Sequence, residues 1–183
     1  ARSPTLLELD LEFVDWLPPA LAGLARLTRL DFASINASEE EAASDDFLQE
    51  LRGLRALRCL GLECEALARV PPVLGALTTL THVDMGYSRM CAPGALDPLA
   101  SLPRLELLEF VADGLRRPSA LAGLTSLREL KLRCDAFGSA DAPIVESGPY
   151  LAGLRVFTFS LSAASPNPVD VPRRVVEPLR AAT

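Results

Sequence analysis

Cys59, His82 and Asp84 are the side chains whose types and spacing could do covalent chemistry. An imidazole beside a thiol can take its proton and turn it into a nucleophile, provided a third group orients the ring. His82 is the single histidine, so any such base must be this one. Asp84, however, follows His82 by two residues, and on an extended segment two such side chains run parallel, leaving no carboxylate behind the ring. An open strand face also lacks donors for an oxyanion and does not exclude water. The cysteines at 59, 64, 91 and 134 have no zinc spacing, and there is no phosphate-binding loop or dinucleotide fingerprint. The expectation is a chain that is not an enzyme and needs no metal or cofactor.

The stronger chemical signal is carboxylate, and the elements that would position it form a pattern of leucines. In LPPALAGLARLTRLDF, residues 17–32, leucines recur at steps of three and then Phe32 follows Leu30 at a step of two. Steps of three suit a short helical turn with one buried face, and steps of two suit a strand. The same change recurs in FLQELRGLRALRCLGL (47–62), PPVLGALTTLTHVDM (71–85), LDPLASLPRLELLEF (96–110) and PSALAGLTSLRELKL (118–132), with shorter versions at 5–13 and 149–159. The first apolar residues of the seven L-x-x-L-x-L units are Leu6, Leu27, Leu57, Leu80, Leu105, Leu127 and Leu154, spaced by 21, 30, 23, 25, 22 and 27 residues. Such a period marks a stacked array in which each unit needs its neighbours to bury its apolar face.

Over residues 5–162 the chain resembles the leucine-rich repeat family, and the L-P-P-x-L-x-x-L lead-in at 17–24 resembles its intracellular plant-type and Ras-group repeats. The resemblance implies an α/β leucine-rich repeat solenoid. In it a concave parallel sheet of about seven short strands is backed by short helical or 3₁₀ turns, across about 29 Å of arc. The domain is expected over residues 1–164, with a Pro-rich tail over 165–183 that holds at most a short helix near 173–177. The family's usual bend asparagine is replaced by Val14, Ile35, Glu65, Ser88, Asp113, Asp135 and Ser162. Ser and Asp can accept backbone N–H bonds at such a bend but do not also donate as an amide does, so less regular bends are expected.

Register then assigns the concave face. Its predicted residues are Glu8, Asp10, Glu12, Arg29, Asp31, Ala33, Cys59, Gly61, Glu63, His82, Asp84 and Gly86 from the first four strands. The last three strands add Leu107, Glu109, Val111, Glu129, Lys131, Arg133, Val156, Thr158 and Ser160. Eight acids and three bases give this set −5, against −1 for the sixteen acids and fifteen bases elsewhere. Its central column reads Asp10, Asp31, Gly61, Asp84, Glu109, Lys131, Thr158, an alignment of like charge that costs stability without helping folding. Concave faces are where repeat proteins bind, so the expectation is a protein-interaction module or scaffold subunit for a basic or amphipathic protein segment. Leu107 and Val111 would offer a small apolar anchor beside Glu109. Two alternatives have the same repeat array serve as the substrate-recognition portion of a ubiquitin ligase or signalling protein, or as a structural subunit of an organellar complex.

A net charge of −6 argues against nucleic acid, and no apolar run is long enough for membrane insertion. Scattered cysteines read as the reduced thiols of an intracellular, cytoplasmic protein. Arginine outnumbers lysine seventeen to one, a bias ascribed to genome composition. A start on Ala1 inside a patterned segment suggests a piece of a longer or processed chain, or of a larger complex. The longest spacing contains NASEEEAASDDFLQE (36–50), expected as a solvated acidic loop with Ser44 or Asp45 capping a helix after it.

Overall fold

In a computed structural model the described residues are 5–12, 17–33, 37–44, 46–90, 92, 94–111, 119–134 and 148–161. The x-L-x-L segments form seven strands: β1 (Glu8–Glu12), β2 (Arg29–Ala33), β3 (Cys59–Leu62), β4 (His82–Arg89), β5 (Leu107–Val111), β6 (Glu129–Cys134) and β7 (Val156–Leu161). They make one open sheet in the order β1 to β7, every neighbouring pair parallel. Each strand from β2 onward is reached through a helical turn. Five are 3₁₀ segments, at Pro19–Gly23, Gln49–Gly53, Pro72–Ala76, Asp97–Ser101 and Ser119–Gly123. Proline stands at the first or second position of three of them, where its missing N–H costs little. The next leucine closes each turn, as when the Leu24 N–H donates to the Leu21 carbonyl at 2.9 Å. The last repeat uses a short helix, α2 (Pro149–Gly153).

The inward residues stack by register into ladders, one running Leu9, Leu30, Leu60, Val83, Leu108, Leu130, Phe157 and another Leu11, Phe32, Leu62, Met85, Phe110, Leu132, Phe159. Leucines of the helical turns, such as Leu21, Leu51, Leu74, Leu99 and Leu121, cover them, each at most 2% exposed. Full burial of such a side chain stabilises by roughly 1.5–3 kcal/mol. Members of the end strands, Leu9, Leu11, Phe157 and Phe159, are only partly buried, because each has a neighbour on one side alone.

The ladder also extends one residue before each strand. Thr28 and Arg29 both donate to the Leu7 carbonyl, at 2.8 and 3.0 Å, and the carbonyls of Thr28, Arg58, Thr81, Glu106 and Arg128 each accept two N–H groups from the next repeat. Every repeat is thereby held to the last at the start of its strand.

Three features depart from the sequence reading. The acidic segment is not a loop: Glu39–Ala43 is a helix, α1, capped by Ser38 in a capping box with Glu41, while Ser44 ends it and Asp45 lies outside the described residues. The Ser38 hydroxyl and N–H both bond Glu41, which lowers the pKa of that carboxyl. The chain re-enters the repeat through Leu48, whose left-handed φ of 65° is held by burial of its side chain.

At the bend after β3 it is Cys64, one residue before Glu65, that turns inward to 1% exposure. Burial raises its thiol pKa, with the nearby backbone N–H groups of Ala66, Leu67 and Ala37 acting in the opposite direction. Within β4, Ser88 is buried as a bend residue should be, but its hydroxyl is placed to donate to the Leu62 carbonyl, 3.4 Å away. Val14, Ile35, Asp113, Asp135 and Ser162, like the tail over 165–183, lie outside the described residues.

The third departure is in β4. Its pairing with β5 runs from His82 to Met85 and then jumps, so that Arg89, not Gly86, stands opposite Val111. Gly86, Tyr87 and Ser88 form a bulge within the strand.

Candidate protein-binding face

Register brings the predicted residues into the expected columns. Glu8, Arg29, Cys59, His82, Leu107, Glu129 and Val156 share one row, and Asp10, Asp31, Gly61, Asp84, Glu109, Lys131 and Thr158 the next. The third row breaks at the bulge. Glu12 faces Ala33 and Val111 faces Arg133, while the Glu63 N–H still bonds the Phe32 carbonyl at 2.9 Å. Gly86 is buried within the bulge, and Val111, expected as part of an apolar anchor, is only 3% exposed. Leu107 keeps partial exposure, so the anchor expected around Glu109 is halved.

Charges on this face are unevenly compensated. Arg29 Nε lies 2.6 Å from Asp31, and that hydrogen bond, followed by the aspartate's charge, raises the arginine's pKa. Lys131 lies 3.5 Å from Glu109 and 3.4 Å from Glu129. Burial opposes the charge of Lys131, but the two glutamates together outweigh it and raise the pKa. Among the described residues Glu8, Asp10, Glu12, Glu63 and Asp84 form no ion pair. Glu63 feels this: partial burial, then the charge of Asp84, raises its pKa, with Arg133 acting in the opposite direction.

The bulge adds a group that the sequence did not single out. Tyr87 is 54% exposed, and the Arg133 guanidinium lies over its ring, 5.2 Å from the centroid. Arg133 also donates to the Gly86 carbonyl, spanning from β6 across β5 to β4. Tyr87 follows the last position that the L-x-x-L-x-L pattern governs, so only its aromatic type next to a glycine hinted at a special place.

The thiol and imidazole do not assemble a catalytic group with Asp84. His82 Nδ1 lies 2.8 Å from the Thr81 hydroxyl, toward the start of the strand. The Asp84 carboxylate turns the other way and accepts the Gly86 N–H at 2.9 Å.

A stack of parallel strands joined by helical turns, with a charged sheet face, defines a repeat solenoid. The fold is that of the leucine-rich repeat proteins. No protein-family model matches the sequence, and no curated protein matches it. Solved structures do. Internalin C2 of Listeria monocytogenes is similar at 25% identity over 78% of this chain and 56% of that one, with a TM-score of 0.57. Internalin inlF of the same organism is similar at 15% identity over 93% and 46%, with a TM-score of 0.58. The chain thus spans about half the length of these structures. No helix among the described residues is long and apolar enough to cross a membrane.

Proposed function

We propose that this chain is a non-enzymatic protein-interaction module whose acidic sheet face binds a basic segment of another protein. The leucine-rich repeat fold supports protein binding in general. The choice of a basic segment rests on one observation: Asp10, Asp31, Asp84 and Glu109 line the central column with only Gly61 among them. Stacked like charges weaken a sheet, and basic side chains laid along the column would relieve them. Arg29 and Lys131 already do so from within at two positions, leaving Asp10 and Asp84 for the partner. Two free thiols, Cys59 and the buried Cys64, support a reducing, intracellular setting.

The test is binding of a fluorescein-labelled Arg/Lys peptide, read by anisotropy. Replacing Asp10, Asp31, Asp84 and Glu109 by Asn or Gln is expected to weaken binding at least about tenfold and to flatten its salt dependence. Equal affinity for both proteins would remove the acidic face from the account. A second reading, a structural subunit held through its edges, draws on Leu7, 48% exposed just before β1, and Val156, 46% exposed at the start of β7.

A further inference from the structure

The sheet face is acidic, but the rim beside it has the opposite sign. Between the helical turns and the strands stand Arg26, Arg55, Arg58, Arg104, Arg128 and Arg155, all exposed. Among the described residues that join a helical turn to the next strand Glu106 is the one acid, while Glu50 and Asp97 lie in the helical turns themselves. Arg58, Arg128 and Arg155 belong to the hydrogen-bonded row that precedes the strands, with Leu7, Thr28, Thr81 and Glu106 as its other members. Rungs of that row are about 4.8 Å apart. Packing does not account for these arginines: of the six, only Arg128 serves the fold visibly, donating to the Gly153 carbonyl at 3.2 Å. The ion pairs among the described residues, Arg29 with Asp31 and Lys131 with Glu109 and Glu129, use none of them.

We propose that this arginine rim binds an extended acidic segment of a protein. Guanidinium groups take carboxylates in two-pronged geometry and are weakly hydrated, so a row of them favours Asp and Glu side chains. Shape selects a peptide over a duplex. The rim is a single line of turns, bordered on one side by the row that contains Glu8 and Glu129 and beyond it by the Asp10 to Glu109 column. An extended peptide can follow that line, whereas a nucleic-acid duplex would overhang the carboxylates and be repelled. The rim is independent of the acidic face, and a partner carrying neighbouring basic and acidic segments would engage both and be fixed in direction across the strands.

Each surface has its own probe, so the two readings fail separately. A fluorescein-labelled peptide of alternating Glu and Ser is titrated with the chain at low salt and read by anisotropy. The triple variant R26Q/R58Q/R104Q, altered only at exposed positions and checked for native circular dichroism, is expected to bind at least about tenfold more weakly. The variant with Asn or Gln at 10, 31, 84 and 109 is expected to bind the acidic peptide as tightly as the wild type or more tightly. The proposal is overturned if the wild type does not bind the acidic peptide or the triple variant binds it equally well. Displacement of the peptide by an equally charged DNA duplex at lower concentration overturns it too, in favour of nucleic acid.

Discussion

Glu63 shows at the scale of one residue what the charged face costs the fold. Partial burial and the neighbouring Asp84 raise its pKa above that of the unfolded chain. In the window between the two values the folded state binds more protons, so stability falls as pH rises through it. Glu63→Gln is therefore expected to be more stable than the wild type at neutral pH and no more stable below the unfolded carboxylate's pKa. Urea denaturation at the two pH values reads this, and a variant equally stabilised at both would show that packing, not charge, is responsible. Cys64 and Ser88 teach a related lesson about bends. Both are small and buried at or next to the position of the family's asparagine, but one thiol lies near backbone N–H groups and one hydroxyl reaches a carbonyl. The sequence shows which residues reach the bend within about one position. It does not show which partner each will find, because that depends on the neighbouring repeat.

At the scale of elements, repeats stack as closely as their smallest residues allow. A methyl group on Gly53 would meet the Ala22 backbone, 2.7 Å from its Cα, where one helical turn lies against the next. The equivalent Gly23 has nothing within 4 Å. Gly53→Ala is expected to cost about 1–3 kcal/mol and Gly23→Ala little or nothing, measured by urea denaturation. Similar costs at both sites would contradict the stacking. The strands themselves were legible, since every L-x-x-L-x-L register predicted a strand and the first two rows of the face match residue for residue. The bulge in β4 was not. After Met85 no apolar alternation constrains the chain, and the bulge makes contacts that lie beyond any local pattern, among them those of Arg133 two strands away with the Gly86 carbonyl and the Tyr87 ring. The helix α1 was missed for another reason: Ser38 and Glu41 stand at capping-box spacing, but the run of acids between them resembles a solvated loop.

The whole molecule is an open stack of seven parallel strands, with carboxylates on the exposed sheet face and arginines along the rim beside it. The carboxylates lie on the sheet, where alternation turns every second side chain outward. The arginines lie in the turns, where no periodicity tags them, and for that reason they read as mere composition in the sequence. Curvature, ends and partners depend on interactions between repeats and beyond them, which no local pattern encodes. The acidic sheet face is the central functional claim, and chemical-shift mapping tests it most directly. The isotope-labelled chain is titrated with the Arg/Lys peptide and followed amide by amide. Shifts are expected to concentrate on β1 to β5, at Asp10, Asp31, Gly61, Asp84 and Glu109 and at Tyr87 on the bulge, with the 3₁₀ turns unmoved. Shifts centred on Pro19–Gly23, Pro72–Ala76 and Asp97–Ser101, with the strand amides unchanged, would contradict it.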